Sequence, residues 1–222
     1  MSHTVRVWDA PTRFFHWALV VCVVGLVTTA QIGGAAMQWH FRLGYSVLCL
    51  LLFRLVWGFV GGYWSRFRAF LFSPAQVLRY VRGRGEPQMS VGHNPMGSSS
   101  VFALLAFLLL QVSSGLMSDD EIAAAGPLAR YVSSEWVNLA TFYHRNVGKL
   151  VLLALVATHL VAIAFYFFKR HDNLVKAMLT GDKTLPFAAQ SSDDSGSKRL
   201  LALAIFVVVS VLVGAVVSRI DA

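Results

Sequence analysis

The chain has 222 residues, of which 56% are hydrophobic and 14% charged, and its mean hydropathy is +0.61. Soluble domains carry about 25% charged residues, so this composition excludes a soluble globular protein, and the scarcity of polar tracts and cysteines excludes disordered and disulfide-rich proteins. The net charge of +8 does not indicate a nucleic-acid-binding protein, because the basic residues lie in loops between apolar segments and the composition is that of a membrane protein.

Five apolar segments are each long enough to cross a membrane as a helix. A span needs about 20 mostly apolar residues, and a single segment in lipid can pair its backbone groups only as a helix. In chain order, the predicted spans are Phe14–Ile32, Phe41–Val60, Val101–Met117, Val147–Phe168 and Leu200–Val217. The two cysteines, Cys22 and Cys49, lie inside apolar runs, which favours small buried side chains over a zinc site or a covalent haem attachment.

Lysine and arginine are distributed unevenly among the loops, and this predicts the orientation of the spans. Thirteen lie in the N-terminal arm and in the loops after the second and fourth spans, whereas the opposite loops carry only Arg130 and Arg219. Positive charge concentrates in cytoplasmic loops. We therefore expect a bacterial inner-membrane protein with a cytoplasmic N-terminus and a periplasmic C-terminus. The alternative of a cleaved signal peptide is disfavoured because the first apolar run is long for a signal.

The connecting segments predict two short helices and a linker on the cytoplasmic side. One helix follows Ser73, which is a typical N-cap before a proline, and the other lies between Asp172 and Gly181. The sequence QSSDDSGS at 190–197 is typical of a polar linker. The predicted domains are a four-span domain over 1–183, a linker over 184–199, and a fifth span with a short tail over 200–222.

Four of the seven histidines lie in or at the ends of predicted spans, where ionisable side chains are costly and usually functional. His16 is near the cytoplasmic start of the first span and His40 near the outer start of the second. His144 is near the outer start of the fourth span, and His159 follows it by about 22 Å of helix at an azimuth about 60° away. One helix therefore presents two imidazoles on one face at two depths. Matching depths pair His40 with His144 and His16 with His159.

Two facing imidazole pairs at two depths predict two haems, each with two axial histidines. Two axial histidines leave no coordination position of the iron open for oxygen chemistry, so such a site transfers single electrons. Histidines at two depths cannot converge on one tetrahedral zinc ion. For any one of these histidines alone, the alternative is a hydrogen bond to a neighbouring carbonyl. The other three, His3, His93 and His171, lie in predicted arms or loops and are expected to be solvated, with a cofactor-edge or quinone role as the alternative for His93.

Further residues are predicted to contact the haems. Gly44 and Gly148 each follow a predicted ligand by four residues, where a missing side chain lets a flat ring approach the helix. Arg54 lies about 21 Å deeper than His40 and about 40° away in azimuth, a position suited to the propionates of the inner haem. The alternative is an arginine that extends towards the headgroups. The remaining predicted contacts are Trp17 beside a ligand and, for the outer haem, Arg42, Arg145 and Lys149. Gln111 in the third span is expected to hydrogen-bond between helices.

Four motifs occur in order along the chain: VWDAPTRFFHW in the first span, WHFRLGY with FRLVWGFVGG in the second, GHNPMG before the third, and HRNVG with ATHLVAIAFY in the fourth. Over Val5 to Lys183 the chain resembles the bacterial cytochrome b561 family, which includes the b-type cytochrome subunits of membrane-bound nickel–iron hydrogenases. The resemblance implies a four-helix bundle with two b haems. The ligands that it implies are the same four residues, His16, His40, His144 and His159.

The resemblance also implies a function: a relay of single electrons between a quinone and a periplasmic partner, either a cytochrome c or an oxidoreductase subunit. The chain is then an electron-transfer cytochrome of a respiratory chain, and whether it is the quinone-reactive subunit of an enzyme complex stays open, as does a homo-oligomer. One alternative is a stand-alone superoxide:quinone oxidoreductase of the same family. Its anion would be attracted by Arg42, Arg130, Arg145 and Lys149 and opposed by Asp119, Asp120, Glu121 and Glu135. The other alternative is a haem-free channel or assembly subunit.

Overall fold

The structure of the chain is a computed structural model that describes residues 2–120 and 124–221. Over these residues, five helical segments are long and apolar enough to cross a membrane, and each contains one of the predicted spans. The all-α membrane fold predicted from the composition is therefore confirmed. Glu121 and the last residue of the predicted C-terminal tail lie outside the described residues.

Eight α-helices and two strands make up the described chain. In chain order they are β1 (His3–Arg6), α1 (Ala10–Ile32), α2 (Met37–Val60), α3 (Pro74–Val81), α4 (Pro95–Met117), α5 (Ser134–Phe142), α6 (Lys149–Arg170), α7 (Leu174–Thr180), β2 (Asp182–Leu185) and α8 (Gly196–Asp221). A π-helical turn over Tyr143–Gly148 joins α5 to α6. The fourth span is thus part of a helical segment that begins at Ser134, well before the predicted start at Val147.

The two short helices predicted between the spans are confirmed. Helix α3 begins after Ser73, whose hydroxyl accepts a hydrogen bond from the Gln76 amide at 3.3 Å, while the Gln76 side chain accepts one from the Ser73 amide at 2.8 Å. Helix α7 follows Asn173, whose side chain accepts a hydrogen bond from the Lys176 amide at 2.9 Å. It ends at Gly181, whose φ of 92° suits a residue without a side chain.

Contacts divide the chain into two compact units. The first contains the N-terminal residues to His16, Arg54–Ala103 and Ala157–Ile205. In it, β1 pairs with β2 in antiparallel register, with Val5 opposite Lys183. Four spans separate these strands in the chain, and an even number of crossings returns the chain to the same side of the membrane. Val5 of β1 belongs to a core of buried side chains that also contains Val7, Trp8, Val91 and Ala177.

A fully buried carboxyl group, that of Asp9, organises the start of α1 in this unit. It accepts hydrogen bonds from the amides of Thr12 and Gly62, both at 2.9 Å, from the Ser65 hydroxyl at 2.7 Å and from the Trp57 indole at 3.2 Å. The Thr12 bond makes Asp9 the N-cap of α1. Buried polar groups are stable only when hydrogen-bonded, so the carboxyl group holds α1, the end of α2 and the following segment together.

The predicted polar linker is held by hydrogen bonds within the first unit. Asp194 accepts hydrogen bonds from Arg6 at 2.7 Å, from the Ala10 amide at 2.9 Å and from Arg199 at 3.0 Å. Burial opposes ionisation of Asp194, but these hydrogen bonds outweigh it and lower the pKa of the carboxyl group. Ser192 is buried and its amide donates to the Arg6 carbonyl at 2.7 Å. The segment is therefore ordered against β1, and the domain boundaries stay a prediction.

The second unit contains Trp17–Phe53, Leu104–Val156 and the part of α8 that begins at Phe206. Helices α1 and α2 approach closely at Gly25, where a Cβ would lie 2.7 Å from a methyl group of Leu43. Small residues allow such close packing of helices in membranes. Buried side chains line the interior of this unit: Val47, Leu50, Leu51, Phe53, Leu105, Leu108 and Leu152.

The fifth span packs against α2. In the first unit, the Lys198 ammonium group donates to the Val60 carbonyl at 3.2 Å. In the second unit, the Phe206 and Phe53 rings meet edge to face with centroids 6.0 Å apart. Helix α8 therefore packs on α2.

Candidate functional site

The structure brings the first predicted pair of histidines together in the second unit. The rings of His40 on α2 and His144 in the π-helical turn have centroids 6.2 Å apart, with 88° between their planes. Both side chains are half-buried. Two imidazoles from different helices therefore face each other with a gap between them.

Backbone carbonyls fix the tautomer of both rings. The Nδ1 atom of His40 lies 3.1 Å from the Leu26 carbonyl oxygen, and that of His144 lies 2.8 Å from the Gln111 carbonyl oxygen. A carbonyl can only accept, so each Nδ1 carries the proton and donates it. Each Nε2 then keeps a lone pair, which is the form that binds a metal. A hydrogen bond to a carbonyl was the alternative to ligation for any one of these histidines. In His40 and His144 this hydrogen bond occupies Nδ1, so Nε2 remains available as a metal ligand.

The second predicted pair meets in the first unit. His16 on α1 and His159 on α6 have ring centroids 6.5 Å apart, with 53° between their planes. Both are half-buried. The structure thus brings together the same histidines that depth along the helices pairs, and their ligation of a haem stays a prediction.

Both spacings fit one iron held between two imidazoles. A metal–imidazole bond is about 2 Å long and the nitrogen lies about 1.1 Å from its ring centre, so two axial imidazoles have centroids about 6.2 Å apart. The observed 6.2 and 6.5 Å match this value. The spacing is therefore compatible with a haem iron between the rings of each pair, although rings in edge-to-face contact have similar centroid distances.

Arg54 lies in the first unit, as does the His16–His159 pair. Its side chain is only 3% exposed, and its guanidinium carbon lies 4.8 Å from the centre of the Phe67 ring. Its Nη1 atom is buried and has no hydrogen-bond partner among the described residues. A buried guanidinium needs an anion. This unpaired donor fits a carboxylate such as a haem propionate, and it argues against an arginine that reaches the headgroups.

The two predicted haem-facing glycines differ in their surroundings. A Cβ at Gly44 would meet nothing within 4 Å, so α2 is open at this position. At Gly148 the corresponding space is filled, because a Cβ would overlap the side-chain oxygen of Gln111 and lie 2.6 Å from Cε1 of Tyr143. Gly44 therefore leaves room for a flat ring, whereas the space beside Gly148 is occupied by the side chains of Gln111 and Tyr143.

The other predicted cofactor contacts lie at the surface of the second unit. Trp17 is 37% exposed. Arg42 is exposed and its guanidinium carbon lies 5.0 Å from the centre of the Trp39 ring. Arg145 is exposed and Lys149 half-buried. Their contacts with a haem stay predictions.

His93 was expected to be solvated, and the structure corrects this expectation. Its ring lies between Trp8 and Phe70, with centroid distances of 4.5 and 4.7 Å. Its Nδ1 atom is buried and has no hydrogen-bond partner among the described residues. The aromatic partners are far away in the sequence, so the motif GHNPMG alone gave no sign of this packing. His3 and His171 are exposed, as expected.

Sequence reasoning also missed most of the contacts that hold the His40–His144 pair. Gln111 was expected to hydrogen-bond between helices, and it does, since its amide donates to the His144 carbonyl at 3.0 Å. That its own carbonyl orients the His144 ring was not foreseen. Neither was the contact of Thr29, whose hydroxyl lies 3.4 Å from Nδ1 of His40. The polar residues at these positions, inside apolar runs, were the available signal.

Five membrane-crossing helices with two facing imidazole pairs define a multi-pass membrane protein of the b-type cytochrome class. The chain belongs to the prokaryotic cytochrome b561 family, whose family model matches residues 7–181. The resemblance drawn from the sequence motifs is thereby confirmed. As a b-type cytochrome, the protein binds haem b and transfers electrons in the membrane.

Curated relatives cover most of the chain. It is 24% identical to the probable Ni/Fe-hydrogenase B-type cytochrome subunit of Bradyrhizobium diazoefficiens, over 81% of this chain and 86% of that protein. It is also 24% identical to the protein of the same description from Rhodobacter capsulatus, over 82% of each chain. It is 23% identical to the probable Ni/Fe-hydrogenase 1 B-type cytochrome subunit of Escherichia coli K12, over 87% of this chain and 96% of that protein. No solved structure matches the chain significantly.

Proposed function

We propose that this chain holds two haem b groups, ligated by His16 with His159 and by His40 with His144, and relays single electrons between a quinone and a partner oxidoreductase. The observation that carries the proposal is the pair of imidazole gaps, with ring centroids 6.5 and 6.2 Å apart. Haem b bound between the rings of each pair would supply a one-electron Fe(III)/Fe(II) couple. The protein supplies the ligands, their orientation and the dry surroundings.

The residues around the ligands divide into those that orient and those that hold charge. The carbonyls of Leu26 and Gln111 accept hydrogen bonds from Nδ1 of His40 and His144, which would leave Nε2 of each ring to bind iron. Arg54, whose Nη1 has no hydrogen-bond partner among the described residues, would hold a propionate of the haem between His16 and His159, and Gly44 would leave space for the ring of the other haem. Trp17, the residue after His16, would pack against a haem ring. Arg42, Arg145 and Lys149 would attract the propionates of the haem between His40 and His144, each weakly because charges near solvent are screened.

The partner is inferred from the names of the relatives. These are described as probable B-type cytochrome subunits of Ni/Fe hydrogenases. By analogy, we infer that this chain exchanges electrons with an oxidoreductase at the membrane surface. A quinone is the second partner, because it dissolves in the bilayer and can be reduced by two single-electron steps with uptake of protons. The relatives give no support to the superoxide alternative.

In the proposed orientation, the N-terminus lies in the cytoplasm of a bacterial cell and the C-terminus in the periplasm, and the protein lies in the inner membrane. The basic loops support this. The pairing of β1 with β2 supports an even number of crossings between them. The oxidoreductase or cytochrome c partner then docks on the periplasmic side, near the His40–His144 pair. Residues 1–183 form the electron-transfer domain, 184–199 connect it to the fifth span, and 200–222 form that span and its tail.

Quinol oxidation by the purified chain in nanodiscs tests the proposed function. The experiment mixes the oxidised protein with a reduced quinone in a stopped-flow instrument and follows the α-band of the reduced haem. We expect haem reduction by quinol in the wild type and its loss or strong slowing in His16→Ala. A protein whose haems are reduced by dithionite but by no ubiquinol or menaquinol analogue would contradict the quinone part of the proposal. His3→Ala is the matched control, since His3 is exposed in β1.

A further inference from the structure

Helix α4 contributes no predicted haem ligand, yet it contacts His144 through three residues on one face. Gln111, Ser114 and Gly115 are spaced by three and four residues, which places them together on a helix. A Cβ at Gly115 would lie 2.7 Å from Cε1 of His144, and the Ser114 hydroxyl oxygen lies 3.4 Å from Nδ1 of His144. The ring of His144 therefore lies directly against the backbone of α4.

Gln111 holds His144 at two points. Its backbone carbonyl accepts the hydrogen bond from Nδ1 of the ring at 2.8 Å. Its side-chain amide donates to the backbone carbonyl of the same histidine at 3.0 Å. A ring held only through Nδ1 can swing about its Cβ, whereas a residue held at both ring and backbone has one orientation.

The π-helical turn is where this second contact is made. His144 is the second residue of the turn Tyr143–Gly148. In such a turn the backbone hydrogen bonds run from residue i to i+5, and turns of this kind occur mostly at functional sites. Carbonyl groups in such a turn are less tightly bound to their own helix, so a donor from another helix can reach one of them.

Gly148 is what allows the Gln111 side chain to reach this turn. A Cβ at residue 148 would overlap the Gln111 side-chain oxygen, and Gly148 is buried. That oxygen is itself buried and has no hydrogen-bond partner among the described residues. The hydrogen bond to His144 is thus the polar contact that keeps the amide in place, and the glycine is the steric condition for it.

We propose that Gln111 is a positioning residue for His144 and sets the reduction potential of the haem between His40 and His144. This inference rests on the ligation proposed above. A hydrogen bond from Nδ1 to a carbonyl gives an axial imidazole more anionic character, which favours the ferric iron and lowers the potential. Loss of the amide contact frees the backbone of His144, lengthens the ring hydrogen bond and raises the potential of this haem alone.

A redox titration of Gln111→Met tests the inference, because methionine keeps the length of the side chain and removes the donor. The haem that His40→Ala removes is first identified by its spectrum as the outer one. In Gln111→Met we expect the equilibrium constant for reduction of that haem to rise about tenfold, which corresponds to about 59 mV for one electron. The inner haem should keep its potential. Gly148→Ala should shift the same haem in the same direction, because its Cβ displaces the glutamine.

The matched control is Leu110→Ala, since Leu110 is next to Gln111 on α4 and is 52% exposed. It should leave both potentials unchanged. Unchanged potentials in both Gln111→Met and Gly148→Ala would overturn the inference while leaving the ligation intact. Loss of the outer haem alone in Gln111→Met also supports it, whereas loss of both haems contradicts a local role. Fewer than two haems in the wild type would instead refute the proposed function.

Discussion

Replacement of Asp9 by alanine should destabilise the start of α1 strongly. The substitution removes the acceptor for the Thr12 amide, the Gly62 amide and the Trp57 indole, all buried, whereas the Ser65 hydroxyl keeps its 2.7 Å bond to the Thr12 hydroxyl. Each buried donor left unpaired costs about 1–3 kcal/mol, so three of them give a loss of about 3–5 kcal/mol once local relaxation is included. Because His16 lies two turns into α1, we expect the inner haem to be lost first.

The assay is denaturation of the detergent-solubilised protein, followed by helical circular dichroism and by the haem bands in parallel. Asp9→Asn keeps one acceptor oxygen and should lose about half as much stability as Asp9→Ala. Asp193→Ala is the control, because Asp193 is an exposed aspartate in the 190–197 segment. A change below about 1 kcal/mol in Asp9→Ala, or a preferential loss of the outer haem, would refute the structural role assigned to Asp9.

Three further outcomes follow from the geometry. The hydrogen bonds that lower the pKa of Asp194 stabilise the fold fully above the unfolded-state pKa of about 3.9, and this stability is lost as the pH falls through the folded-state pKa. Asp194→Asn should therefore weaken the fall of the melting temperature at acidic pH. An unchanged fall in this variant would contradict the reasoning. Gly44→Leu should fill the open space on α2 and expel the outer haem alone, as measured by pyridine haemochrome, and full retention would place the ring elsewhere. The ring planes at 88° and 53° predict two separate low-spin ferric signals in electron paramagnetic resonance, with the larger anisotropy from the His40–His144 pair, and a single signal would exclude two such pairs.

The spans and the partners of the four histidines could be predicted from the sequence because both depend on local rules. Twenty apolar residues form a helix in lipid whatever surrounds them. Helical rise alone then gives the depth of each histidine. The predicted fourth span, Val147–Phe168, lies inside a helical segment that begins earlier, at Ser134, because residues 134–142 are helical although they are less apolar than a span.

The environment of the ligands could not be predicted, because it is built from residues distant in the chain. The carbonyl that orients His144 comes from Gln111 on another helix. The rings around His93 come from Trp8 and Phe70. The donors around Asp9 come from three segments. A sequence pattern shows which residues are unusual for their surroundings, but it does not show which others they meet.

Haem quantification on the wild type and on the four single histidine-to-alanine variants tests the central claim most directly. The account predicts two b haems per chain in the wild type. It further predicts that His40→Ala and His144→Ala lose the same haem, and that His16→Ala and His159→Ala lose the other. A wild type with fewer than two haems, or two members of one pair that lose different haems, would contradict it.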